Sequence, residues 1–146
     1  MGLSDLVGAG PVGIDTAVFI YFLEEHPAFL SVIQPLFAAA ARGEVALVTS
    51  AVTLLEVLVV PYRAGNATLA RRYETLLTES RELRLVDVDR AQSRAAARLR
   101  ALYRLRTPDA LQIAAALTFR CTAFVTNDRD FPDVTGLAIV RLSQLI

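Results

Sequence analysis

The sequence predicts an α/β fold, a mainly parallel sheet covered by helices on both faces. Two observations predict it. Short β-rich runs alternate with longer helix-like runs along the whole chain, which is the pattern of repeated βαβ units. The length of 146 residues suits one domain, able to hide roughly two-thirds of its unfolded surface without disulfides or a structural metal. A single domain over residues 1–146 is therefore expected, with residues 1–11 a loose leader.

The first strand is expected at residues 12–14, leading directly into Asp15-Thr16 and a helix over 17–25. His26-Pro27 breaks that helix, and a second one spans 28–42, closed by Gly43 where a helix C-terminus favours glycine. Residues 45–49 are β-rich. Ser50 is suited to cap the next helix, which runs to Val60 and is ended by Pro61 and Gly65. A polar helix over 66–81, a strand over 83–88 and an Ala- and Arg-rich helix over 90–105 follow.

Thr107-Pro108-Asp109 is a strong helix start, with Thr as cap, Pro at the first helical position and an acid in the first turn. That helix extends to Arg120. A short strand at 123–126, a loop at 127–133 and a last strand at 137–142 complete the chain. No internal repeat, low-complexity segment or linker divides it.

Composition excludes several classes. The chain is 54% hydrophobic, yet an apolar run such as 17–23 falls far short of the roughly 20 residues of a membrane helix. The first residues carry Asp5 and no basic residue, the wrong charge for a secretory signal, so a cytoplasmic location is expected. Cys121 is the only cysteine, so an internal disulfide and a cysteine metal cluster are both excluded, and it reads as a small buried hydrophobe. The 15 basic residues, all Arg, balance 15 acids. Any nucleic-acid binding must then rest on local patches.

Gly8-Ala9-Gly10-Pro11-Val12-Gly13 formally fits a dinucleotide-binding glycine motif, but it precedes a strand and opens no helix. His26, beside a proline, reads as a loop residue. Arg90, Arg94 and Arg98 share one helix face, read as solvated.

The acids are more informative. Asp15 directly follows one strand and Asp128 lies two residues past another, so both fall at the carboxyl edge of the sheet, where α/β proteins bind ligands. Asp109 alone would read as a carboxylate favouring a helix dipole. Glu56 is the only charged residue between Val52 and Val60, a segment apolar enough to be buried. An ionised carboxylate there needs a partner, and no basic residue stands three or four positions away. A metal is the economical partner, and carboxylates without His or Cys favour Mg²⁺ or Mn²⁺.

Four segments together, Ile14-Asp15-Thr16, Thr53-Leu54-Leu55-Glu56-Val57-Leu58, Thr107-Pro108-Asp109-Ala110-Leu111-Gln112 and Val125-Thr126-Asn127-Asp128-Arg129-Asp130-Phe131, resemble those of PIN-domain nucleases. The resemblance covers nearly the whole chain from Val12. Residues 56–66 are similar to the VapC-type toxins of bacterial toxin–antitoxin pairs. It implies a three-layer α/β/α sandwich, Mg²⁺- or Mn²⁺-dependent hydrolysis of RNA with water as nucleophile, a homodimer, and a small antitoxin partner.

Carried over by position, Asp15, Glu56, Asp109 and Asp128 match the acidic quartet of metal ligands and catalytic residues, and Thr126 matches the hydroxyl preceding the last acid. Thr16 and Asp130 are expected to support them, with Asp133 in reserve, and Arg106 and Arg129 to bind substrate phosphates. Two other readings stay open: a non-catalytic PIN-like module that binds RNA or protein, and a PIN-fold nuclease outside toxin–antitoxin systems, DNA-directed or structure-specific. The apolar segments 17–23 and 54–60 could share an antitoxin groove with the core.

Overall fold

The computed structural model describes residues 2–146. Five strands, β1 (Val12–Ile14), β2 (Leu47–Ser50), β3 (Leu83–Val86), β4 (Ala123–Thr126) and β5 (Ala138–Arg141), form one sheet in the order β3-β2-β1-β4-β5. Every pairing is parallel. The helices are α1 (Leu3–Val7), α2 (Thr16–Leu23), α3 (Leu30–Ala41), α4 (Val52–Arg63), α5 (Ala67–Glu79), α6 (Arg90–Leu102) and α7 (Thr107–Thr118), with a closing 3-10 turn, Leu142–Leu145.

The three central strands β1, β2 and β4 are buried along their full length, as a parallel sheet covered on both faces requires. Strand alternation divides the core. Val12, Ile14, Leu47 and Val125 pack on one face with side chains of α1 to α5, whereas Val48 and Phe124 pack on the other with α6 and α7. The result is the expected three-layer α/β/α sandwich.

Gly13 makes one contact possible. A Cβ there would stand 2.7 Å from the Phe124 ring and 3.0 Å from Ala116 Cβ, so only glycine lets α7 settle this closely on β1. The closeness matters because the sheet's topological switch lies at β1. The chain steps from β1 outward to β2 and β3, then returns to β4 on the other side, leaving a crevice at the carboxyl ends of β1 and β4.

Three expectations are corrected. The leader is not loose where it is described: residues 3–7 form α1, with Leu3 and Val7 buried in the core beside α3, while Met1 lies outside the described residues. Five residues carry too few apolar positions to announce a helix by period. Pro61 does not end α4, which continues to Arg63. The proline is buried, the Asn66 N–H bonds its carbonyl at 2.9 Å, and the turn comes at Gly65, with φ of 65°. Finally, α4 is not buried all round, since Leu55, Val60 and Tyr62 are each more than 60% exposed.

No helix of the described residues is long and apolar enough to cross a membrane.

Candidate active site

Four acids reach the crevice from four different elements. Asp15 follows β1 and caps α2, with extended φ and ψ of −74° and 155°. Both of its oxygens are held: Oδ1 accepts the Thr16 N–H at 2.9 Å and Oδ2 accepts the Thr126 hydroxyl at 2.6 Å. Thr126, the last residue of β4, also accepts the Asp128 N–H at 3.1 Å. One buried hydroxyl therefore ties Asp15 to the loop that carries Asp128. Asp128 is exposed, and its Oδ1 accepts the Asp130 N–H at 2.9 Å, an Asx-type turn.

Glu56 lies one turn into α4 and is partly buried, with Oε1 accepting the Thr16 hydroxyl at 2.7 Å. Asp109 is buried in the first turn of α7, and its Oδ2 meets Arg106 Nε at 3.2 Å. All four acids, with Thr16, Tyr21, Arg106 and Asn127, line one cavity of about 450 Å³.

The electrostatics are those of crowded like charges. Burial pushes the Asp15 carboxyl up from 3.8 to about 6; the Thr126 hydroxyl and Thr16 N–H oppose this, and the neighbouring Asp109 and Glu56 add to it. Burial also raises Asp109, against the pull of Arg106 and with a further rise from Asp128. The cavity thus gathers four carboxylates around a single guanidinium.

Such a donor set suits a hard divalent cation, because it is all oxygen and its excess negative charge lacks a counter-charge. Among the described residues no three acidic, histidine or cysteine groups are already closed around a point where an ion would sit. Arg106 engages one Asp109 oxygen at 3.2 Å.

Not every expected residue is in the cavity. Arg129 is exposed and outside its lining, while Arg106 borders it with a side chain 78% exposed. Asp130 contributes its backbone N–H, not its carboxylate. Asp133 pairs with Arg141 at 3.2 Å, away from the acids. His26 sits in the turn after α2 against Tyr21 and Phe29, and burial pushes the Cys121 thiol up to about 12.

Two residues escape sequence reasoning. Asn127 lines the cavity, donating from Nδ2 to the Tyr21 hydroxyl at 2.9 Å, while its buried Oδ1 has no partner among the described residues. Gln112 lies beneath the acids, 2% exposed. Its signal was present, as the only polar side chain between Ala110 and Leu117. A separate cleft of about 570 Å³ between α4 and α5 carries a single acid, Glu74, and no converging set.

A parallel α/β/α sandwich with carboxylates converging at the switch point of its sheet defines the class of acid-site α/β proteins. The PIN domain family model matches residues 12–137, and the chain belongs to that family. In structure it is similar to a toxin–antitoxin complex from Klebsiella pneumoniae, with a TM-score of 0.64, 22% identity, and coverage of 87% of this chain and 94% of that one. It is similar also to VapBC2 from Rickettsia felis bound to a DNA fragment from its promoter, at TM-score 0.63, 18% identity and coverage of 89% and 97%. A third is VapC20 of Mycobacterium tuberculosis, described as a toxin cleaving the sarcin–ricin loop, at TM-score 0.65, 16% identity and coverage of 82% and 91%. A search of curated proteins by sequence finds no match.

Proposed function

We propose that the protein is a divalent-metal-dependent endoribonuclease, the toxin of a toxin–antitoxin pair, using Asp15, Glu56, Asp109 and Asp128 as its metal-holding acids. The observation that carries the reading is the convergence of these four acids, from four separate elements, on one cavity. Membership of the PIN family supports it, as does the likeness to structures of toxins and toxin–antitoxin complexes.

A bound Mg²⁺ or Mn²⁺ would activate a water for in-line attack and offset the charge building on the phosphate. The chain's own part is positioning. Thr126 and the Thr16 N–H fix the two oxygens of Asp15, and the Thr16 hydroxyl fixes Glu56. Arg106, exposed at the cavity rim, is the side chain suited to a substrate phosphate, with exposed Arg129 as a more distant second. The same reading supplies a small antitoxin and a second copy of this chain as partners. Exposed Leu55, Val60 and Tyr62 on α4 support an apolar contact there. A single domain over residues 1–146 and a cytoplasmic location belong to the same proposal.

Purified protein freed of any partner, given a mixed RNA pool or matched single-stranded DNA with Mg²⁺ or Mn²⁺, tests it. Cleavage of RNA that stops with EDTA and in Asp15→Asn is expected. Cleavage that persists in excess chelator, or RNA left intact by the wild type, contradicts it.

A further inference from the structure

We propose that Gln112 is a positioning residue for the acidic site: its buried amide sets the direction of the Thr16 hydroxyl, and through that hydroxyl holds Glu56. The inference rests on the nuclease reading for its consequence, but its geometry stands independently.

The orientation of the Gln112 amide follows from its neighbours. The Ser50 backbone N–H lies 3.0 Å from Oε1, and a backbone N–H can only donate, so the atom facing it must be the oxygen. The Thr49 hydroxyl stands 3.0 Å from the same oxygen. The NH₂ group then points the other way, toward Thr53 Oγ1 and, at 3.2 Å, Thr16 Oγ1. An amide nitrogen has only donors to offer, so Thr16 Oγ1 must accept.

One hydroxyl hydrogen remains on Thr16. With its oxygen engaged by Gln112, that hydrogen is directed to Glu56 Oε1, 2.7 Å away, which as a carboxylate can only accept. The Thr53 hydroxyl, 3.1 Å from Thr16 Oγ1 and 2.8 Å from Thr49 Oγ1, completes the buried set. The polarity of the chain is thus fixed from Ser50 N–H through Gln112 and Thr16 to Glu56.

The elements joined give the arrangement its weight. Gln112 lies one turn after Asp109 on α7, Thr16 follows Asp15 at the start of α2, and Glu56 follows Thr53 by one turn on α4. One side chain therefore connects three of the four acid-bearing elements to the end of β2. Gln112, Thr49, Thr53 and Thr16 are all 9% exposed or less, so no solvent competes for these bonds.

Without the amide, the Thr16 oxygen loses the donor that fixes it and can accept from Thr53 instead, so the hydroxyl holds Glu56 less firmly in one rotamer. Loss of such a supporting bond typically costs about 10–100-fold in metal affinity or activity.

The test is a double-mutant cycle with Gln112→Met and Thr16→Val, reading Mn²⁺ affinity by calorimetry, and kcat and KM on one labelled RNA that the wild type cuts. Each single change is expected to weaken Mn²⁺ binding and lower kcat by about 10-fold or more with KM within about 2-fold. The double variant should be no worse than the worse single, because both act on the same bond. Thr16→Ser, which keeps the hydroxyl, should restore function. Additive losses, or a folded Gln112→Met with wild-type affinity and kcat, overturn the proposal.

If Gln112→Met loses its cooperative melt, Gln112→Glu replaces it, keeping the volume and the acceptor for Ser50 while removing the donors toward Thr16. If neither variant folds, Gln112 is a folding residue and the proposal is wrong. Wild-type protein that neither binds Mn²⁺ nor cuts RNA would defeat the nuclease reading instead. The Gln112–Thr16 coupling is then read from the same cycle in thermal stability, where additivity overturns it.

Discussion

Asp15 is held at both oxygens, yet burial beside Asp109 and Glu56 lifts its pKa to about 6 from 3.8 in the unfolded chain. The folded state therefore binds the proton more tightly. Without a metal, the fold loses stability as pH rises from 3.8 through about 6 and does not regain it above. The shift corresponds to about 3 kcal/mol. Urea unfolding at pH 4.5 and pH 8 should show Asp15→Asn more stable than wild type at the higher pH, with the difference shrinking at the lower. Equal pH dependence in the two proteins would mean that Asp15 is not strained by burial. Thr126 gives a second residue-scale expectation. Thr126→Val should lower RNA cleavage by about 10–100-fold, and Thr126→Ser should retain it; equal activity of all three proteins would remove Thr126 from the site.

Residue identity was legible where chemistry and position coincided. Asp15 and Asp128 stood out as charges at strand ends, and Glu56 as the lone charge of an apolar helix. Asn127 was not legible, and Gln112 only as a lone polar side chain in an apolar run, because an amide's role is defined by what folds around it. Glu56 does line the acidic cavity, but not for want of solvent around its helix: α4 exposes Leu55, Val60 and Tyr62, so its apolar character reflects a surface as well as a core.

Elements were mostly legible by their period, with errors at short or unusual segments and at two caps: α4 is capped at Ala51 rather than Ser50, and α7 at Arg106 rather than Thr107. β1 and β4 fall at the expected residues, whereas α1 was too short to announce itself and α4 ran past its proline. If α1 is integral to the fold, truncating buried Leu3 in Leu3→Ala should cost about 2–5 kcal/mol in urea unfolding, and a cost near zero would return the segment to a loose leader. The packing of α7 on β1 gives a related expectation. Gly13→Ala places a methyl 2.7 Å from Phe124, and should cost about 1–3 kcal/mol by the same measurement. Because α7 carries Asp109 and Gln112, cleavage should fall further than stability alone explains. An unchanged variant would mean that the contact is slack.

For the whole molecule, the alternation of strands and helices disclosed a parallel sandwich, but not the strand order. Nothing local to Val12–Ile14 says that β1 is central, and the crevice exists only because β2 and β4 flank it. That order converts four acids scattered over more than one hundred residues into one cavity. It also explains how a chain of balanced charge concentrates negative potential in one place. Calorimetric titration of Mn²⁺ into wild type and Asp15→Asn at pH 7.5 tests this convergence most directly. The prediction is saturable binding by the wild type, weakened by about 10-fold or more in the variant. Equal binding by both proteins, or none by the wild type, would contradict a metal site built from these four acids.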